Sequence, residues 1–263
     1  MTIFRSSALL AALLLAGCGA AAVKNDAPEA PEAPEAAAMP DATPARVVPE
    51  DEARAFQAVF GQASPIAVKV KQDEEITRSE QLIRLGDRAV LITSTQLKQG
   101  CHYCAGWLGI YYLKPAGDSF TVTGRFPHAV DGSGGAPAWT VSDRFGSLAI
   151  ESKSGSGGQG YVCNWLELVD FPPEGPRKLV KVTVDFDETG PGPDIIPGSL
   201  QVSGKIGDIV PGKSFTVDYS GIKVGTGKQR FSETYRRAAT GYARVGKSRV
   251  DSCPNLSLDT QPS

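Results

Sequence analysis

Cys101-His102-Tyr103-Cys104 is the densest run of reactive side chains in the chain. Two thiols at this spacing can close a disulfide across a tight turn. They can also share a zinc ion with His102 and either Cys163 or His128, or cycle as a redox pair. Redox cycling needs the first thiolate activated at a helix N-terminus. Here Ala105-Gly106-Trp107-Leu108-Gly109-Ile110-Tyr111-Tyr112 follows, which reads as a strand. Neighbouring Cys101 and His102 are awkward ligands for one ion, and no metal or other cofactor is assigned. Asp185-Phe186-Asp187-Glu188-Thr189-Gly190 opens like a calcium loop, with oxygen ligands at alternate positions and a glycine at the bend. Ile196 stands where the closing bidentate acid belongs, so a solvated turn is expected. Asp185 and Asp187 are nevertheless the first place to look for a cation.

Gly207-Asp208-Ile209-Val210-Pro211-Gly212-Lys213-Ser214 fits the phosphate-binding loop pattern at every position. That loop works only if Lys-Ser opens a helix whose amides cradle phosphate. Phe215, Val217 and Tyr219 alternate with Thr216 and Asp218, the period of a strand, so no nucleotide is expected. For nucleophilic catalysis the chain offers two histidines, His102 and His128, and no Gly-x-Ser-x-Gly. No catalytic residue is assigned. An envelope hydrolase built on His128 and the loop Asp131-Gly132-Ser133-Gly134-Gly135 is the alternative.

The elements that would position these groups are β-strands. Ala89–Thr93, Trp107–Leu113, Phe120–Val122, Leu148–Glu151, Val162–Phe171, Leu179–Phe186 and Phe215–Tyr219 are rich in β-branched or aromatic residues and separated by Gly, Pro, Asp and Ser. A short helix is expected at the start of the body, where Glu50, Asp51 and Glu52 favour the helix dipole, Ala53, Phe56, Val59 and Phe60 give an apolar stripe, and Gly61 stops it. Shifted by sixty residues, 84–100 falls on 144–160 without a gap and with six identities, among them Arg84/Arg144, Gly86/Gly146, Ala89/Ala149 and Ser94/Ser154. With small gaps, Cys104, Trp107 and Leu108 answer Cys163, Trp165 and Leu166. This suggests a duplicated unit, about 84–130 and 144–188. The fold class expected is all-β, with repeated antiparallel units forming a sandwich or open stacked sheets and a propeller as the alternative. Trp107, Trp139 and Trp165 are read as core anchors of that architecture.

Residues 19–50 are of another composition. Ala-Pro-Glu occurs three times between Ala27 and Glu35, and the segment holds six acids and two bases without an apolar face. It reads as a disordered tether from the lipid-bearing residue to a body at 51–263. The body is close to neutral and lacks the clustered basic footprint that nucleic acid requires. Before the tether, an apolar run behind Arg5 ends in Leu15-Ala16-Gly17-Cys18. At about half the ~20 residues needed to span a bilayer, it reads as a signal-peptide core. These residues resemble the lipobox of bacterial lipoproteins. The resemblance implies a signal peptide over 1–17, lipid modification at Cys18, and an outer-membrane anchor facing the periplasm, with Gly19 following the cysteine. It covers the first eighteen residues only.

Export places the other four cysteines, Cys101, Cys104, Cys163 and Cys253, in an oxidising compartment, where an even number reads first as two disulfides. The favoured pairing is 101–104 with 163–253, and 104–163 competes with it. The function expected is a non-catalytic, lipid-anchored envelope binding or scaffold lipoprotein. Its partners are the membrane and a protein or cell-wall glycan, with no nucleic acid. The alternatives are the hydrolase at His128 or a thiol or metal protein at Cys101–Cys104.

Overall fold

The computed structural model describes residues 50–70, 73–98, 105–158, 161–190 and 197–250. The expected helix forms as α1 (Glu50–Phe60). Its acids occupy the first turn, Ala55, Phe56 and Val59 point inward, and Gly61 ends it at positive φ with its amide on the Gln57 carbonyl. Glu52 differs from the other two first-turn acids. It is buried, and Ser79 donates its hydroxyl to it at 2.7 Å.

All other regular structure among the described residues is strand, as the composition implies. β1 (Ile66–Val70), β2 (Asp73–Leu85), β3 (Arg88–Leu97), β4 (Ala105–Ala116) and β5 (Ser119–Ser133) form one antiparallel meander. A second, eight-stranded meander follows in chain order. It comprises β6 (Ala138–Ser142), β7 (Ala149–Gly158), β8 (Tyr161–Asp170), β9 (Arg177–Asp187), β10 (Leu200–Val210), β11 (Ser214–Lys223), β12 (Gly227–Arg237) and β13 (Tyr242–Arg244). Two stacked meanders of five and eight strands are an open-sheet arrangement, not a ring of blades.

The first sheet curls into a half-barrel. On one face it receives α1, which packs Ala55, Phe56 and Val59 onto Ala89, Leu91, Tyr111 and Leu113. On the other it packs Ile83, Val90, Ile92, Leu108 and Ile110 against Ile150, Val169 and Phe171 of the second sheet and the turn after it. The second sheet has its own core, centred on Phe215 and running from Phe145 and Leu166 to Tyr235, Tyr242 and Val250.

β9 is where the second sheet departs from regularity. Its pairing with β8 shifts register twice, at Asn164/Trp165 and at Leu168/Val169. Such bulges bend and twist a strand. On its other edge β9 pairs with β10 only through Asp185, Phe186 and Asp187. Below that point β10 departs, and Val180–Val184 has no paired strand on that side among the described residues. The sheet closes on itself instead. β13 returns beside β9, with Gly241 so close to the Leu179 carbonyl that a Cβ there would collide with it. Tyr242 fixes the return by donating its hydroxyl to the Phe145 carbonyl at 2.7 Å.

The window 144–188 contains the three-stranded run β7–β9, and 84–130 covers β3–β5 up to the last three residues of β5. Ala89 and Ala149 are both fully buried, each at the start of its run. The registers then differ by one residue. Ser94 pairs with Leu108, whereas Ser154 pairs with Trp165. A slip of one moves a side chain to the opposite face, and the two tryptophans at matching sequence positions have different environments.

Candidate functional site

The expected sites scatter across the fold. Cys18, Cys101, His102, Cys104 and Cys253 lie outside the described residues. Cys163, on β8, is 6% exposed and packs against Trp165 and Phe186. Asp185 and Asp187 project from the last paired stretch of β9, and neutral donors occupy both. Ser203 Oγ and Asn164 Nδ2 bond Asp185 at 2.7 and 3.2 Å. Thr189 N and Oγ1 and Gln201 Nε2 bond Asp187 at 2.9, 2.7 and 2.8 Å. Burial raises the Asp187 pKa, but these hydrogen bonds outweigh it and leave the carboxyl below its ordinary value. Among the described residues no three His, Cys, Asp or Glu side chains gather as metal ligands.

Lys213 and Ser214 lead from the Gly212 turn into β11, so the phosphate-loop pattern sits on a hairpin. His128 is exposed and lies flat on Trp107, with ring centroids 4.2 Å apart. The reading of Trp107 as a core anchor is thereby corrected. It is half-buried on β4, outside the three main cores, because its register places it opposite Thr95 and Asp131. Trp139 packs on the edge of the core between the sheets, and Trp165 is buried with Lys181 over its ring.

A cavity among the described residues was not visible in any motif. It has a volume of about 420 Å³ and occupies the gap that β9 opens in the second sheet. One wall is β9 itself, from Val180 to Thr183. The opposite wall is Tyr219 of β11, Glu233 and Tyr235 of β12, and Tyr242 and Arg244 of β13. Ser248 and Val250 close it, carried by a strap of chain beyond β13. The unpaired edge explains one of the tyrosines. Tyr219 donates its hydroxyl to the Thr183 carbonyl at 2.5 Å, supplying a bond that a strand would otherwise make.

Glu233 organises the far wall. It is 6% exposed, and its Oε1 accepts from Ser248 Oγ at 2.9 Å and from the Arg249 amide at 2.8 Å. The Tyr235 hydroxyl donates to Oε2 at 3.2 Å. Arg244 Nη1 stands 3.9 Å from Oε2, beyond hydrogen-bonding reach, while its Nε donates to the Gly246 carbonyl. A buried carboxylate is held here by hydroxyls and an amide with a guanidinium close by.

Burial pushes the Tyr219 and Tyr235 hydroxyls far above the ordinary tyrosine value, and the Glu233 charge adds to both shifts. Tyr112, between the sheets, is pushed up to about 12, chiefly by burial. These folded values exceed the unfolded value of about 10, so their contribution is fully present below pH ~10 and is lost as pH rises toward the folded values. Stability is therefore expected to fall steadily above pH ~10, with Tyr112 ionising in the native state near 12. Tyrosinate absorbance followed alongside circular dichroism checks this. Ionisation of every tyrosine near 10 with the fold intact would show these hydroxyls to be solvated.

No protein-family model, curated protein or solved structure matches this chain. No helix among the described residues is long and apolar enough to cross a membrane.

Proposed function

We propose that this protein is a lipid-anchored binding protein of the bacterial cell envelope, held by Cys18 and presenting its β domain through the tether at 18–50. The observation that carries the binding reading is the cavity beside β9. It is concave, of small-molecule size, and lined by convergent polar groups, Glu233, Arg244, Ser248 and the tyrosine hydroxyls, set among valine and aromatic surface. The anchor rests on Leu15-Ala16-Gly17-Cys18 and places the domain in the periplasm at the outer membrane. A disulfide bracing the domain is part of this reading. Its support is the even number of cysteines beyond Cys18 in an oxidising compartment, of which Cys163 is buried on β8. Cys253 is the favoured partner. The stacking of His128 flat on Trp107, with no acid bonded to the imidazole among the described residues, favours binding over a hydrolase at that histidine.

Two variants test the reading. Cys18→Ala is expected to move the protein from the membrane pellet to the soluble envelope fraction, and retention in the pellet would remove the anchor. Val180→Trp fills the cavity from a half-buried position. The small-molecule fraction of an envelope extract is expected to raise the melting temperature of the wild-type protein and leave that of Val180→Trp unchanged. Equal response of the two proteins would remove the cavity as the site.

A further inference from the structure

We infer that the cavity beside β9 binds a neutral saccharide, gripped through a pair of adjacent hydroxyls by Glu233 and Arg244. This rests on the cavity being the binding site and specifies what enters it. The far wall carries one anion and one cation, Glu233 and Arg244, and so has no net charge to select an ion, while the third charged lining residue, Lys181, lays its ammonium over the Trp165 ring at 4.0 Å. Glu233 and Arg244 also fail to satisfy each other, since 3.9 Å separates Nη1 from Oε2. Oε1 already accepts two hydrogen bonds, whereas Oε2 accepts one long bond from Tyr235 and has room for another donor. Guanidinium carries five N–H donors, and Arg244 commits Nε to Gly246 and shares an interaction with the Tyr235 hydroxyl. The wall thus presents a charged acceptor beside a charged donor.

The complement of such a pair is a group that donates from one atom and accepts at the next, and vicinal hydroxyls do both. A carboxylate ligand would suit Arg244 and be repelled by Glu233. An ammonium ligand would meet the reverse. A hydrocarbon would strip water from both side chains and return no hydrogen bond, which is costly for buried polar groups. An extended peptide would need a ladder along β9, but the Tyr219 hydroxyl already occupies the Thr183 carbonyl and interrupts it. The rest of the lining suits the C–H faces of a sugar ring. Tyr235 and Tyr242 supply aromatic surface, and Val180, Val182 and Val250 supply apolar surface opposite.

The test is calorimetric titration of the full lipidated protein in a detergent without a sugar headgroup. The probes are cellobiose, maltose and N,N′-diacetylchitobiose, with decanoate and a neutral tetrapeptide as contrasts. At least one disaccharide is expected to bind saturably. Arg244→Met is expected to weaken that binding at least tenfold and Val180→Trp to abolish it, while Lys205→Met, on an exposed position of β10, leaves it unchanged. Near-ultraviolet circular dichroism establishes that each variant is folded. Should Arg244→Met not fold, Val180→Trp carries the comparison. Binding of decanoate or the tetrapeptide in place of every disaccharide, blocked by Val180→Trp, overturns the saccharide and leaves the cavity as the binding site. If no probe binds, the extract component responsible for the thermal shift is identified by mass, and any class other than a saccharide overturns the inference. No probe binding together with no Val180→Trp-sensitive shift removes the binding reading as well.

Discussion

Phe215→Ala is expected to lower the unfolding free energy by about 3–5 kcal/mol, the usual cost of deleting a buried aromatic ring. Phe215 is fully buried at the start of β11, in the middle of the second sheet's core. It lies parallel to Tyr235 at 4.9 Å and meets Phe145 and Tyr242 edge-on at 5.3 and 5.2 Å. Those three rings come from β12, the turn before β7, and β13. One side chain therefore joins the strand next to it, the turn on which the sheet closes, and the strand that closes it. The backbone around it gives little room for collapse, because Gly212 donates to the Phe145 carbonyl and Gly146 is packed directly against Gly212. A cavity left by the ring would stay largely open, which puts the cost toward the upper end. A typical domain has only about 5–15 kcal/mol in total, so the variant is expected to be partly unfolded at moderate denaturant. Equilibrium urea denaturation monitored by near-ultraviolet circular dichroism is the measurement. A loss below about 1 kcal/mol would mean that the aromatic cluster relaxes around the gap and that closure of the sheet rests elsewhere.

The strands that were legible in the sequence are those with a strong apolar alternation or run. β3, β4, β5, β9 and β11 contain their expected segments and extend beyond them, while β7 begins one residue after its expected start and β8 ends one residue before its expected end. Six strands gave no such signal, and the reasons differ. β2 reads Asp-Glu-Glu-Ile-Thr-Arg-Ser-Glu-Gln-Leu-Ile-Arg-Leu, and two of its three buried positions are the hydroxyl residues Thr77 and Ser79. They are satisfied by Thr95 and Glu52, so the inward face is polar and the period-2 pattern is masked. β10 has a polar, glycine-rich sequence because Gly204 and Gly207 make room for Tyr219 and for Thr216 and Asp218 of β11. β12 alternates correctly, with Phe231, Glu233 and Tyr235 inward, but its central inward residue is charged. β1, β6 and β13 are three to five residues long and take their conformation from their neighbours.

The cavity was illegible for a related reason. It lies where β10 leaves β9, and no local pattern encodes that departure or the two register shifts on the other edge of β9. Glu233 and Arg244 lie eleven positions apart on different strands, so their approach is a property of the fold. The tryptophans show how far a repeat can mislead. Trp107 and Trp165 match in sequence, yet a register difference of one residue leaves the first half-buried beneath His128 and buries the second.

Glu233→Ala is expected to have the second largest effect, and it acts on the strap that closes the cavity. The carboxylate is the shared acceptor for Ser248 Oγ and the Arg249 amide. Hydrogen bonds to a charged group contribute about 1.5–3 kcal/mol each, and a buried donor left without a partner carries its full desolvation cost. Ser248 keeps a second acceptor in the Val250 carbonyl at 2.5 Å, which reduces the loss on that side. Arg249 keeps the stacking of its guanidinium over Phe231 at 4.0 Å, but its amide has no other acceptor recorded among the described residues. The expected net cost is about 2–4 kcal/mol, and it should be local. Hydrogen exchange at Arg249 and Val250 should accelerate well before the amides of β11 and β12 respond, because the strands retain their ladders. Glu233→Gln separates charge from connectivity. Its amide oxygen can still accept from Ser248 and Arg249, so the strap should remain protected, while the acceptor that faces Arg244 is replaced by a donor. If the strap exchanges no faster in Glu233→Ala than in the wild type, Val250 packing alone holds it and the carboxylate belongs to the cavity wall. If it opens in Glu233→Ala and stays closed in Glu233→Gln, the same residue ties down the strap through one oxygen and shapes the cavity through the other.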